Sequence, residues 1–233
     1  WVEDLTVAID YVDFEIEESI EQFSLTQIME SCYDSSSYPN AFCSQFTRQA
    51  NFQLPPVDAY TSGFVNAGVR TMQGVTVEFD WISDLASWPL LNKLDNPGML
   101  AVQGNMFFPS ESETLIQGAV VDELNLPFMA EEQVQLNLTY FWNNLTVLWQ
   151  TRYIGETVVE TDISDTRYPD DSLDSVFLHN LGVVYEFNEK ITVNLNVNNV
   201  FDEEPEKSAI ARGYDVQYDN IGRYLRAGIK MRL

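Results

Sequence analysis

Residues able to do acid–base or nucleophilic chemistry are few in this sequence and form no recognisable catalytic pattern. His179 is the single histidine, and no Gly-x-Ser-x-Gly motif is present to supply a nucleophile. Glu78 and Asp80 could imitate a catalytic carboxylate pair, but residues two positions apart on a strand share a face, where they serve equally well as charges on a wetted wall. A glycine-rich phosphate loop is also absent. We therefore expect no catalytic residue, no metal site and no cofactor, and we predict that the protein is not an enzyme.

The charge balance excludes one large class of partners. The chain carries 36 acidic and 12 basic residues and a formal net charge of -24, so a surface that follows nucleic-acid phosphates is not expected. The acids crowd two inferred loops, residues 156–174 and 202–219. Such clusters either form a solvated, mutually repelling surface or hold divalent cations and attract a cationic ligand. The sequence leaves both interpretations open.

A period of two near the C-terminal end is the strongest structural signal. Successive side chains of a strand point to opposite faces, so apolar residues at every second position predict a strand with one apolar and one polar face. Residues 191–198 and 220–233 follow this rule. The apolar positions are Ile191, Val193, Leu195, Val197, Ile221, Leu225, Ala227, Ile229, Met231 and Leu233, and the intervening positions include Asn194, Asn196, Asn198, Tyr224, Arg226, Lys230 and Arg232.

Three further features favour a membrane barrel over a water-soluble sandwich, which has the same alternation. The polar faces are polar along their whole length, aromatic residues lie near the strand ends, and short turns alternate with long polar loops. Together these features are typical of outer-membrane barrels. No run of about 18 apolar residues exists, so no transmembrane helix is expected. The aromatic pairs are Tyr140 and Trp142, Trp149 and Tyr153, and Tyr185 and Phe187.

Alternation and turn residues together predict an all-β fold, an antiparallel transmembrane meander of about eight strands. Tight asparagine-containing turns are expected at residues 142–145 and 187–190, on the same rim as a longer connection at residues 83–97. The longest external loop, residues 18–62, should begin with a short helix at residues 25–30. The predicted strands span residues 4–17, 63–83, 98–109, 132–142, 145–157, 175–187, 190–201 and 219–233.

Several segments match the motifs of one protein family. Asn-Asn-Val-Phe-Asp-Glu-Glu-Pro at residues 198–205, followed by Tyr218, Gly222-Arg223 and a terminal strand, resembles the closing hairpin of TonB-dependent outer-membrane receptors. Residues 66–79 and 5–16 are similar to two earlier strands of those receptors. The chain departs from many outer-membrane proteins in ending in Leu233 instead of phenylalanine, which weakens the expected assembly signal.

This resemblance implies both an architecture and a function. Such receptors have a barrel of about 22 strands around a plugged lumen. The order of the matching segments implies that residues 1–233 form a C-terminal segment of the barrel domain and that the plug domain is not present in this chain. The implied function is active uptake of a scarce nutrient, such as an oligosaccharide, a peptide or a metal chelate, across a bacterial outer membrane. The implied partners are this ligand, outer-membrane lipid and the inner-membrane TonB system, which would act through upstream segments.

Two other interpretations remain open at this point. A self-contained eight-stranded outer-membrane barrel with a structural or adhesion role would contain the same strands. A secreted β-sandwich binding module would show the same alternation, but it should expose mostly polar residues on its outer faces.

Cys32 and Cys43 are the only cysteines, and they flank a polar, turn-rich segment. Two cysteines that close a short loop in an envelope protein are expected to form a disulfide. The segment also resembles a cysteine-bridged external loop of the same receptors. Two separate buried thiols remain an alternative. Metal binding by the two cysteines is disfavoured, because the chain has a single histidine to complete a ligand set.

Ligand contacts are expected from the external loops, because the ligand of the resembling receptors enters from outside. The short turns at Asn143 and Asn188 should contribute none. Acidic loops disfavour an anionic ligand, so we expect a neutral oligosaccharide, a peptide or a cation-bound compound. The loops concerned are residues 21–62, 110–130, 158–174 and 203–217.

Aromatic side chains of these loops are the candidate ligand-binding residues, since their rings can stack on a ligand. Packing of the loops against each other would use the same rings. The candidates are Tyr33, Tyr38, Tyr168 and Tyr214, with Phe42, Tyr60 and Phe108 as further loop aromatics.

Scarce basic residues mark a possible charged wall on the polar face. Arg226, Lys230 and Arg232 share one face of the last predicted strand, and Arg152 falls on the polar face of the fifth. Together with Glu78, Asp80 and Glu186, and with neutral amides such as Gln135 and Asn137, they would suit water, a plug, or a sugar-like or peptide ligand.

Overall fold

A computed structural model shows one main sheet whose strands follow the order of the sequence. The structure describes residues 4–23, 25–33, 37–54, 60–61, 64–116, 119–158, 172–204 and 221–232. Eight strands form a continuous path, and three short strands lie off it. The path contains β1 (Leu5–Gln22), β2 (Phe64–Asp84), β3 (Met99–Ile116), β5 (Gln133–Trp142), β6 (Leu145–Ile154), β9 (Val176–Asn188), β10 (Ile191–Asn198) and β11 (Tyr224–Met231); the short strands are β4 (Ala119–Asp122), β7 (Thr157–Val158) and β8 (Ser172–Leu173). Strand β4 pairs with β3, and β7 and β8 form a separate two-stranded sheet.

The predicted meander is confirmed. All eight predicted strands are present, and pairing is antiparallel from β3 through β5, β6, β9 and β10 to β11. The bounds differ most at the ends of β1 and β3, which continue to Gln22 and Ile116, and at the start of β11, which begins at Tyr224 instead of residue 219. The pairing of β1 with β2 and of β3 with β4 extends the first two strands despite the low strand propensity of glutamate and serine. Alternation does not predict β4, β7 or β8, because two to four residues carry no usable period.

Two tight hairpins fix the register in the middle of the sheet, as predicted. Strands β5 and β6 meet at Asn143, whose φ of 49° lies in the left-handed region that asparagine tolerates. Between β9 and β10, the Asn188 Oδ1 atom accepts hydrogen bonds from the backbone N–H groups of Lys190 (2.9 Å) and Ile191 (3.0 Å). The asparagines therefore satisfy local backbone geometry in both turns.

The connection between β2 and β3 is bonded to the same rim, as predicted. It opens with a 3₁₀ turn at Leu85–Ser87, where the Asp84 side chain accepts a hydrogen bond from the Ala86 N–H. Farther along, the Asn96 side-chain amide donates to the Asn143 side chain (2.7 Å), and the Trp142 indole donates to the Asn96 carbonyl (3.0 Å). These bonds tie the connection to the β5–β6 turn.

The two faces of the sheet differ as the alternation predicts. On β10 and β11 the apolar face leaves Leu195, Ile229 and Met231 exposed by 39%, 65% and 66%. Their neighbours Asn194 and Asn196 point to the opposite, polar face. A water-soluble sandwich would bury the apolar set in its core, so this exposure argues against the sandwich and agrees with a barrel that presents its apolar face to lipid.

Buried apolar residues form small clusters in two compact units. One unit comprises Asp13–Met72 and Ser112–Asp122, and the other Trp1–Val12, Gln73–Glu111 and Glu123–Leu233. The first contains the predicted helix, α1 (Leu25–Tyr33), and a 3₁₀ turn at Ala41–Ser44. Among the described residues, no helix has the length and apolar character needed to cross a membrane. The first cluster consists of Phe23, Ile28, Cys32, Phe42 and Phe46, and the second of Ala130, Ile154 and Val176.

Candidate ligand-binding surfaces

A disulfide-closed loop carries two of the predicted ligand-binding tyrosines. Cys32 and Cys43 are joined, with their Cα atoms 4.9 Å apart, which confirms the predicted pair. Ile28 and Cys32 are buried on one side of α1, so the helix ends with Tyr33 on the surface, 46% exposed. The buried cluster and the disulfide thus hold the backbone on both sides of this tyrosine.

We call the ring group at this place the aromatic platform, defined by Tyr33, Tyr38, Phe46 and Arg48. The Tyr33 and Tyr38 rings are stacked, with centroids 5.9 Å apart and an interplanar angle of 22°. Phe46 meets Tyr33 edge-on at 5.8 Å. The Arg48 guanidinium lies 5.6 Å from the Tyr33 centroid and 5.8 Å from that of Phe46, and it donates a hydrogen bond to the Phe52 carbonyl.

This geometry combines two recognition functions. Tyr38 is 61% exposed, so its ring is available to stack on a flat group of a ligand. The adjacent Arg48 guanidinium can bind an anionic group while it remains over the aromatic rings. Sequence patterns do not indicate Arg48, because its position depends on how the whole loop folds.

The other aromatic residues that were predicted to bind the ligand differ in where the structure places them. Tyr168 and Tyr214 lie outside the described residues, so their assignment stays a prediction. Phe42 is only 5% exposed and packs edge-on against Phe23 at 5.2 Å, so it belongs to the buried cluster. Tyr60 is 44% exposed, and its backbone forms an isolated bridge with Phe46.

A second surface lies on the polar face of β5, β6 and β9 to β11. We call it the polar groove: two adjacent depressions, each of about 320 Å³, that share Gln150, Asn180, Asn198 and Tyr224. One end also contains Gln135 and Arg152, and the other contains Asn196, Gly182 and Arg226. The sequence correctly predicts these basic and amide residues on one face, although it does not predict the groove between them.

A row of amides crosses the groove from strand to strand. The Asn180 side chain donates to Gln150 (2.9 Å), and Gln150 donates to Asn137 (3.0 Å). The Asn180 Oδ1 atom also accepts a hydrogen bond from the Asn199 N–H (2.9 Å). Because these bonds orient Gln150 and Asn180, the floor of the groove is a prearranged set of polar groups.

The suspected carboxylate pair is engaged by amides of the neighbouring strand. Asn105 donates to Glu78 and Gln103 donates to Asp80, each at 2.8 Å. Each carboxylate therefore has its own amide partner on the polar face. This arrangement fits the interpretation of the two acids as wall charges.

His179 lies among aromatic residues on the apolar face. Its ring is 5.3 Å from Trp149 and 5.1 Å from Phe201, and its Nδ1 atom is 2.9 Å from the Thr151 hydroxyl oxygen. The Trp149 indole donates to the same hydroxyl (3.1 Å). These contacts suit a structural role for the imidazole, and no described carboxylate forms a hydrogen bond with it.

The closing motif has a local structural role. The Asp202 Oδ1 atom accepts a hydrogen bond from the Arg223 N–H (2.6 Å), and the Arg223 guanidinium lies 3.9 Å from the second carboxylate oxygen. Gly222 has a φ of 70°, which favours glycine at this turn. The Asn199 side chain donates a hydrogen bond from Nδ2 to the Glu203 carbonyl and accepts one at Oδ1 from the Glu203 N–H. The motif residues thus fasten the two ends of the last external loop.

The described residues contain no group of three or more histidine, cysteine or acidic side chains arranged to hold a metal ion. Residues 159–171 and 205–220, which hold most of the two acidic clusters, lie outside the described residues. A cation-binding role for those loops therefore stays a prediction.

Comparison with protein-family models identifies one family. The family model described as "TonB dependent receptor-like, beta-barrel" matches residues 38–200. No curated protein sequence matches the chain. Among solved structures, the FrpB iron transporter of Neisseria meningitidis superposes over 98% of this chain with a TM-score of 0.55 and 13% identity.

Two Pseudomonas aeruginosa receptors are similar in the same way. The pyoverdine outer-membrane receptor FpvA has a TM-score of 0.52 and 18% identity over 98% of this chain, and the ferric enterobactin receptor PfeA has 0.56 and 12% over 98%. The chain spans 28%, 27% and 29% of FrpB, FpvA and PfeA, respectively.

Proposed function

Because the chain belongs to the TonB-dependent receptor-like β-barrel family, we propose that it forms part of a bacterial outer-membrane receptor for a scarce nutrient. The family consists of transporters, so the prediction that the chain is not an enzyme is confirmed. The match of residues 38–200 to the barrel model carries the proposal. The sequential meander and the exposed apolar face support it independently.

Uptake by this receptor would draw on energy from the inner membrane. The energy would arrive through the TonB system, which would contact segments upstream of this chain, including a plug domain. The chain spans less than a third of its structural relatives, which supports the view that the complete receptor has further barrel strands. In the complete barrel the apolar face would contact outer-membrane lipid and the polar face would line the lumen.

The nutrient belongs to one of three chemical classes: an oligosaccharide, a peptide or a metal chelate. The structural relatives are an iron transporter and receptors for pyoverdine and ferric enterobactin, which makes a metal chelate the first class to test. The ligand would be captured at the external loops. Tyr33 and Tyr38 of the aromatic platform would stack on it, and Tyr168 and Tyr214 belong to the same proposal.

Energy-dependent uptake is the property that tests this proposal. A deletion strain and the same strain carrying the intact receptor would be given radiolabelled ferric chelates, peptides and oligosaccharides, with and without a protonophore. We expect the receptor to restore accumulation of one class and the protonophore to abolish it. Accumulation that is the same in both strains for all classes would refute the receptor function, and a structural or adhesion role would then explain the barrel better.

The ligand identified in the uptake assay can then be used to test whether the aromatic platform binds it. Replacing Tyr33 and Tyr38 together by alanine removes two stacking surfaces, each worth about 1 kcal/mol, so binding should weaken roughly thirtyfold. Phe187→Ala is the control, since Phe187 is an exposed aromatic residue beside the β9–β10 turn, on the rim that is expected to make no ligand contact. An unchanged affinity in the double variant would show that the platform does not contact the ligand.

A further inference from the structure

The polar groove has a local charge opposite to that of the whole chain. Its residues include Arg152 at one end and Arg226 at the other, and none of the described residues that line the two depressions is acidic. The chain as a whole carries 36 acidic and 12 basic residues, so a surface with two guanidinium groups and no carboxylate is unusual for it. Such a surface attracts anions at short range, even within a negatively charged protein, because distant charges are screened by salt.

Neither arginine of the groove has a side-chain partner in the described part of the chain. Within the part of the chain that the structure describes, neither Arg152 nor Arg226 makes a hydrogen bond or an ion pair with another side chain, and both are exposed. Arg223, by contrast, lies beside Asp202 in the closing motif. Arg152 and Arg226 are therefore free to bind carboxylate groups through paired N–H donors.

Between the two arginines the groove offers neutral groups that match a polyhydroxylated ligand. Gln150 and Asn180 are oriented by the amide row, and each keeps further hydrogen-bonding capacity. The side chains of Asn196 and Asn198 make no hydrogen bond within the described residues, so their amides can bond hydroxyl groups. The Tyr224 ring lines both depressions and supplies a flat surface for the face of a sugar ring.

The register of the strands sets the length of this surface. Arg226 on β11 pairs with Asn196 on β10, and Asn196 pairs with Gly182 on β9. Arg152 on β6 pairs with Leu178 on β9, which lies four residues from Gly182. At about 3.4 Å per residue the two arginines are offset by roughly 14 Å along the strands. Arg152 lies on β6 and Arg226 on β11, three strand spacings of about 4.8 Å away, or roughly 14 Å across the sheet. The ends are therefore about 20 Å apart, which suits an extended oligomer better than a compact ion.

Gly182 keeps the middle of the groove open. A Cβ atom at this position would lie 3.3 Å from the Asn196 side-chain oxygen and 3.6 Å from Leu148. A larger side chain at residue 182 would therefore fill the depression that leads to Arg226.

We propose that the polar groove binds an acidic oligosaccharide, with sugar carboxylates on Arg152 and Arg226 and sugar hydroxyls on the amides between them. This inference rests on the proposed function, because it names the class of nutrient that the receptor would carry along its polar wall. It also revises the expectation that an anionic ligand is disfavoured, which considered the acidic loops and not the charge of the groove.

Direct binding to the purified intact receptor in detergent tests the groove. The probes are tetragalacturonate, which carries a carboxylate on each sugar, and maltotetraose, a neutral oligomer of the same length. Isothermal titration calorimetry at low and high salt should show tetragalacturonate binding more tightly than maltotetraose, with an advantage that shrinks as salt rises. Arg152→Gln and Arg226→Gln should each weaken tetragalacturonate binding about fivefold.

Two controls separate the groove from general charge effects. Lys190→Gln removes the same charge from the exposed turn between β9 and β10, outside the groove, and should leave the affinity within about 1.5-fold. Gly182→Leu should weaken binding without changing charge. Equal affinity for the two probes, no binding of tetragalacturonate because the plug domain occupies the groove instead, or equal losses from Lys190→Gln and the arginine variants would each overturn the proposal.

The uptake assay distinguishes this inference from the function it rests on. Arginine-dependent binding of tetragalacturonate without any energy-dependent uptake would support the groove and refute the receptor function. Normal uptake of another nutrient, together with no tetragalacturonate binding, would leave the receptor function in place and overturn the groove proposal.

Discussion

Removing the Cys32–Cys43 disulfide should loosen one loop by a calculable amount. The bridge spans a sequence separation of 11 residues, and the chain-entropy relation for a loop of that length corresponds to about 2.8 kcal/mol at 25 °C. At roughly 1.4 kcal/mol per factor of ten, local opening of the loop should become about 100 times more frequent. The variant Cys32→Ala with Cys43→Ala is preferred to serine, because Cys32 is 1% exposed and a hydroxyl there would be buried.

Hydrogen exchange measured by mass spectrometry can detect this change peptide by peptide. Amides of α1 and the 3₁₀ turn at Ala41–Ser44 should lose about two decades of protection, whereas amides of β10 should exchange as before, because they lie in the other compact unit. The unmodified protein treated with reductant should behave like the double variant, which controls for the lost sulfur atoms. Unchanged protection in the loop, or an equal loss in β10, would refute the reasoning that the bridge acts locally.

Two further substitutions test the rim and the faces of the sheet. Gly98→Ala should destabilise the β2–β3 connection by roughly 1–3 kcal/mol, because Gly98 has a φ of 88° and an added Cβ would collide with the Phe141 carbonyl. The control is Leu90→Ala, at a residue of the same connection that is 92% exposed, and the thermal midpoint of Gly98→Ala should be the lower of the two. Leu195→Lys on the apolar face should cost about 2–4 kcal/mol if the residue lies near the bilayer midplane, whereas Asn194→Lys on the polar face should cost little. Urea unfolding in lipid vesicles measures that difference, and equal losses for the two lysines would contradict the assigned faces.

The strands of the C-terminal half could be predicted because two physical rules coincide there. Alternation places Leu195 and Ile229 on one face, and asparagine turns define where each strand reverses. The ends of β1 and β3 could not be predicted in the same way, since Glu18, Ser19 and Ser112 have low strand propensity, and these strands are extended by their pairing with neighbouring strands.

The candidate sites also differ in how far the sequence predicts them. The pairing of Cys32 with Cys43 follows from composition and compartment, so the sequence predicts it correctly. The platform depends on contacts across a folded loop, so Tyr33 could be nominated as an exposed aromatic, but Arg48 could not. Phe42 shows the limit of residue type alone, because a loop phenylalanine that could bind a ligand is buried in a local cluster instead.

The sequence pattern predicts which face the groove residues share, but it does not predict that they form a groove. Alternation alone predicts that Arg152 and Arg226 share the polar face. Only the paired sheet shows that these arginines have no side-chain partner among the described residues, that a row of amides lies between them, and that Gly182 leaves space in the groove.

The orientation of the sheet in the membrane is the claim on which the receptor function depends. Single cysteines placed in turn at residues 193 to 197 of the intact receptor, spin-labelled in lipid vesicles, would report contact with oxygen, which concentrates in lipid, and with a water-soluble nickel chelate. We predict a period of two: oxygen contact dominates at Val193, Leu195 and Val197, and nickel contact dominates at Asn194 and Asn196. Oxygen contact that shows no alternation, or that is highest at the asparagines, would contradict the account.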